Sequence, residues 1–86
     1  MNAHSPPHIL VVDDDPAMRE LMAEYLTEND LRVTTAENGA GMTLALRENV
    51  VDLVILDLRL SGEDGMQLAR QLRAHRDAGL DRFATG

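Results

Sequence analysis

Two acidic features of the 86-residue sequence could do chemistry: the run Asp13-Asp14-Asp15 and a lone Asp57, each placed directly after an apolar segment. Carboxylates brought together repel, and burial raises the cost of charging them. A hard divalent cation relieves that repulsion, and Mg²⁺ favours oxygen ligands, a few carboxylates with retained waters. Such an ion also supplies the positive charge that lets an anionic phosphoryl group approach an anionic nucleophile. The chemistry in view is attack of a carboxylate on phosphorus to give an acyl phosphate. Asp57 suits that role because it stands alone at a strand end, ahead of a Gly-containing loop at 58–62 whose backbone can approach closely.

Plainer roles account for many of the other polar residues. Asp15 precedes Pro16 and fits a helix N-cap, and Asp64 fits a second cap. An acid at a strand end can also serve only the turn or the helix dipole, so Asp57 alone would carry little weight. One cap cannot use three acids, however, and the pairing of Asp13 and Asp14 with Asp57 is what points to a site. His4, His8 and His75 show no ligand spacing and are expected at the surface. Arg70, Arg73 and Arg76 read as a solvated helix face, and Met18, Met22 and Met42 as core.

The elements that must position these acids emerge from apolar patterning. Ile9–Val12 is wholly apolar and mostly β-branched, as in a strand buried on both faces. Met18, Leu21, Met22, Tyr25 and Leu26 then recur at helical spacing, closed by Asn29 and Asp30. Leu31, Val33 and Thr35 alternate with polar residues, predicting a strand near a sheet edge. Asn38-Gly39 marks a turn before a shorter helix carrying Met42, Ala45 and Leu46. Leu53–Leu56 is the best central strand, and a third helix carries Leu68, Ala69 and Leu72. The order β-α-β-α-β-α predicts an α/β three-layer sandwich on a parallel sheet. In such a sheet ligands bind beyond the strands' carboxyl ends, where strand order reverses, so neighbouring first and third strands would bring Asp13, Asp14 and Asp57 together.

Residues 1–8 read as a flexible arm, 9–76 as the folded part, and 77–86 as an irregular tail without a fourth strand. The third strand would then be an exposed apolar edge, inviting a homodimer or strand-swapped oligomer, and the first helix would lack a neighbour on its side. With no cysteine, disulfides and thiolate metal sites are excluded. A net charge of −7 argues against direct nucleic-acid binding. No apolar run reaches the ~20 residues that span a bilayer, and the expected setting is the cytoplasm.

Ile9-Leu10-Val11-Val12-Asp13-Asp14-Asp15-Pro16 resembles the first strand and acidic pair of response-regulator receiver domains of two-component signalling. Ala36-Glu37-Asn38-Gly39 resembles that family's β2–α2 turn, and Leu53 through Leu60, closing on Asp64-Gly65, its phosphoacceptor strand and loop. The resemblance implies a flavodoxin-like fold and a phosphoprotein, not an enzyme, in which Asp57 takes a phosphoryl group from a sensor histidine kinase. It implies that Asp14, Asp57 and the Arg59 backbone carbonyl ligate Mg²⁺, with Asp13 acting mainly through water. The helix after Asp64 resembles regulators with a winged-helix DNA-binding domain, which implies a link to transcription regulation.

The chain departs from the family pattern in its second half. Ser61 stands where the family usually has Pro. The family continues through a fourth strand ending in Ser or Thr and a fifth ending in Lys, and all eight basic residues here are arginine. The acceptor half is therefore expected to be present and the readout half missing, as in a truncated receiver. Two alternatives stand beside the acceptor reading. A phosphorylation-incompetent receiver could act as an interaction module through its first helix. A haloacid-dehalogenase-like phosphatase would use the Asp-x-Asp of Asp13–Asp15, but Pro16-Ala17 stands where that family has Gly-Thr.

Overall fold

A computed structural model of the chain describes residues 6–57, 65–76 and 83–85. Its first strand, β1 (His8–Val12), is buried along its whole length. The helix α1 (Pro16–Glu28) starts where expected: the Asp15 side chain accepts from the amides of Ala17 and Met18, and Pro16 occupies the first turn. It closes at Asn29, followed by Asp30 in the left-handed region (φ 63°). Then come β2 (Arg32–Ala36), α2 (Gly39–Glu48), β3 (Leu53–Leu56) and α3 (Gly65–Arg76). Asn38 caps α2 by accepting from the Gly41 amide at 2.9 Å.

The strands form one parallel sheet in the order β2-β1-β3-β4, where β4 is Phe83–Thr85. Register pairs Leu10 with Thr34 and Val54, and Val12 with Ala36 and Leu56. Leu10, Val12, Ala36, Val54 and Leu56 carry the main core, closed by Met42, Ala45 and Leu46 of α2 and Leu68, Ala69 and Leu72 of α3. The opposite face, with Val11 and Ile55, is approached by Met18 and Met22 of α1. The α/β sandwich on a parallel sheet is thus as read from the sequence, including β2 as an edge.

Three expectations are corrected. The segment 77–86 is not wholly irregular, because Phe83–Thr85 pairs with Val54–Leu56 of β3. A bare β3 edge exposes unpaired N–H and C=O groups, and even a three-residue strand satisfies them. β3 is therefore interior, and an oligomer built on its exposed edge loses its basis. Second, His8 is the first residue of β1 rather than the end of an arm, and it is buried, not at the surface; its Nε2 lies 2.7 Å from Thr34 Oγ1. A buried polar ring needs such a partner. His4 lies outside the described residues.

Third, Met42 is core, but Met18 is 42% exposed and Met22 only half-buried. No residue of α1 is buried, and Leu21 and Tyr25 are exposed too. Among the described residues α2 and α3 share one face of the sheet while α1 has the other without a helical neighbour. This is the isolation expected of the first helix, and it leaves half its apolar stripe uncovered. Arg70 and Arg73 form the exposed face expected of them.

Candidate functional site

The site is a product of strand register. Val12 and Leu56 are partners in adjacent parallel strands, so the next residue on each, Asp13 and Asp57, emerge side by side at the carboxyl end of the sheet. The ladder extends into both. The Asp57 amide donates to the Val12 carbonyl and the Asp13 amide to the Ala36 carbonyl, each at 3.0 Å. Between β1 and β3 the strand order reverses, since the chain passes from β1 outward to β2 and then back across to β3. A crevice at that point is the usual ligand position of an open parallel sheet.

Asp13, Asp14 and Asp57 can each offer one carboxylate oxygen such that all three lie within 4.8 Å of one another, and all three residues are half-buried. An open cavity of about 170 Å³ adjoins them, lined by Asp13, Asp57, Met18, Met22 and Ile55. Oxygens on opposite sides of a six-coordinate Mg²⁺ stand about 4.2 Å apart, from Mg–O distances near 2.1 Å. An all-oxygen donor set on this scale fits such an ion after a small closure, with room for waters. Asp15 is not part of the set, because its carboxylate is spent on the helix cap.

The three acids singled out in the sequence do converge at one place, and Asp15 serves as the cap expected of it. Arg59, expected to contribute its carbonyl, lies outside the described residues, as do Ser61 and Asp64. Two further residues bear on the site without being legible in the sequence. Thr85 ends β4 opposite Leu56, one position before Asp57, so the fourth strand does finish in a hydroxyl residue beside the acidic end of the sheet. The signal for it is slight: a single Thr before Gly86, without an apolar run. Arg19, on the first turns of α1, donates through Nη1 to the Asp13 carbonyl at 2.8 Å. Nothing in its spacing of six residues from Asp13 announces that bond.

Comparison with known proteins gives the family. The model for the response regulator receiver domain matches residues 9–81. Regulatory protein VirG of Agrobacterium tumefaciens is 44% identical over 70 residues, covering 81% of this chain and 26% of VirG. The chain thus spans about a quarter of that relative's length. A response regulator receiver protein from Pseudomonas putida superposes with a TM-score of 0.83 at 32% identity, covering 96% of this chain and 70% of the other. Thermotoga maritima TrrA, crystallised with Mg²⁺-BeF, gives a TM-score of 0.74 at 30% identity over 93% of this chain and 86% of TrrA. TrrA in complex with the histidine kinase ThkA gives 0.77 at 29% identity, covering 93% and 85%. With its strand order, its acidic crevice and these matches, the chain belongs to the response regulator receiver domain family.

Proposed function

We propose that this chain is a phosphoacceptor switch of two-component signalling, with Asp57 as acceptor and a Mg²⁺ ion held by Asp13, Asp14 and Asp57. The observation that carries this reading is the convergence of the three carboxylates within 4.8 Å at the strand-order reversal. A carboxylate oxygen of Asp57 attacks phosphorus of a phosphohistidine on a sensor histidine kinase. The P–N bond breaks, an O–P bond forms, and the departing imidazole takes up a proton. A cation bound here offsets the negative charge of acceptor and phosphoryl group. Arg59 would add its backbone carbonyl to that ion, and Asp13 would act mainly through water. Thr85, which ends β4 opposite Leu56, is the residue to which we assign the Ser or Thr place of the family. The TrrA complexes with Mg²⁺-BeF and with ThkA support this reading by analogy.

The domain is a signalling element rather than an enzyme, and no helix among the described residues is long and apolar enough to cross a membrane. We place it in the cytoplasm, where its kinase partner would present the phosphohistidine. Transcription control is the output we assign to the whole protein, because VirG and the Escherichia coli transcriptional regulatory protein GlrR are among its relatives. A second reading, an interaction module that works without phosphorylation, is favoured by the uncovered Met18, Leu21 and Tyr25 of α1.

One experiment separates the two. Incubated with acetyl phosphate and Mg²⁺, the protein should gain the mass of one phosphoryl group, and hydroxylamine should remove it as it does acyl phosphates. Replacing Mg²⁺ with a chelator should abolish the gain. Equal incorporation without the metal, or none with it, would exclude the switch.

A further inference from the structure

Asp13 is held at three points, and one of them comes from an arginine. Its amide donates to the Ala36 carbonyl at 3.0 Å, which continues the β1–β2 ladder. Its Oδ1 accepts from the Asp15 amide at 2.9 Å, and its carbonyl accepts from Arg19 Nη1 at 2.8 Å. The first two contacts are local consequences of strand and turn. The third reaches back from α1, whose N-terminus is itself fixed by the Asp15 cap and by the bond from the Arg19 amide to the Asp15 carbonyl. Strand, turn and helix are tied into one unit around the acidic pair. One oxygen of Asp13 is committed to this unit, and among the described residues the other is left for an ion.

We propose that Arg19 is the positioning residue of the acidic pocket: it clamps the Asp13 carbonyl and so fixes the turn that presents Asp13 and Asp14. The inference rests on the reading that these carboxylates bind a divalent cation. Arg19 is half-buried, and its guanidinium donates to the neutral Asp13 carbonyl. A guanidinium is suited to this, because its planar fork loses little freedom per bond and stays charged at any working pH. Groups that orient metal ligands without touching the metal typically contribute ten- to a hundredfold to metal affinity.

The charge and the clamp act on a cation in opposite directions, which makes the idea testable by sign. A positive side chain beside the pocket repels Mg²⁺, so removing charge alone would tighten binding. Removing the clamp loosens the turn and weakens binding. Mg²⁺ should be titrated calorimetrically into the full chain and into Arg19→Ala and Arg19→Lys, with amide hydrogen exchange of Asp15 followed in metal-free protein. Arg19→Gln serves if the alanine variant loses helix content.

Arg19→Ala, or Arg19→Gln in its place, should weaken Mg²⁺ binding by about tenfold or more and speed exchange at Asp15. Arg19→Lys, which keeps one donor and the charge, should recover most of the affinity. Unchanged or tighter Mg²⁺ binding in the variant lacking the guanidinium would overturn the inference while leaving the cation site intact. Absence of saturable Mg²⁺ binding in the unaltered protein would instead overturn the reading of the pocket itself, and with it any role of Arg19 there.

Discussion

Asp57→Asn is expected to abolish phosphoryl uptake from acetyl phosphate, seen as loss of the shifted band on a phosphate-affinity gel. The substitution keeps the shape of the side chain but replaces an anionic oxygen by a neutral amide, which is a poor nucleophile toward phosphorus. It should leave the fold intact, because the tie of this residue to β1 runs through its backbone amide and the Val12 carbonyl. Removing one of three converging carboxylates also lessens their mutual repulsion, so the variant should be no less stable than the parent. The matching substitution Asp15→Asn should still take up the phosphoryl group, since Asp15 serves the helix cap and not the pocket. A band that stays shifted in Asp57→Asn would move the acceptor to another residue.

Leu10→Ala should cost about 2–5 kcal/mol of folding stability, read as a lower midpoint in urea with an unchanged slope. Leu10 is fully buried in β1, between Thr34 and Val54 on its neighbours, at the centre of the core that α2 and α3 close. Truncation removes its transfer energy and leaves a cavity that a β-sheet closes poorly. Small domains have little stability to spare, so a loss of this size would leave much of the population unfolded. Leu44→Ala is the contrast, because Leu44 is 50% exposed on α2 and its loss should stay within about 0.5 kcal/mol. Similar costs at the two positions would contradict the placement of the core between the sheet and α2–α3.

The parts of the fold that could be read from the chain are those encoded locally. The runs Ile9–Val12 and Leu53–Leu56 are short, apolar and β-branched, and each ends in acid, so strand type and site fall out together. The start of α1 was legible because Asp15-Pro16 carries its own chemistry. The misses are all non-local. Phe83–Thr85 has no strand pattern of its own and is a strand because β3 offers it a row of backbone partners. His8 is buried through a contact with Thr34, 26 residues on. The stripe on α1 announced a helix but not what would cover it, and Met18 is left exposed beside the acidic cavity. Of the site, the carboxylates were legible as types at strand ends. The Arg19 bond to the Asp13 carbonyl was not, because it depends on where the first turn of α1 sits relative to β1.

The proposed switch requires one divalent cation shared by Asp13, Asp14 and Asp57. Titrating Mg²⁺ into isotopically labelled protein and following amide chemical shifts tests it residue by residue. The expected result is a single saturable set of changes centred on Asp13, Asp14 and Asp57, absent in a variant carrying Asp13→Ala and Asp14→Ala together. Shifts that never saturate, or that spread over Glu20, Glu24 and Glu28 of α1 as much as over the three aspartates, would contradict it.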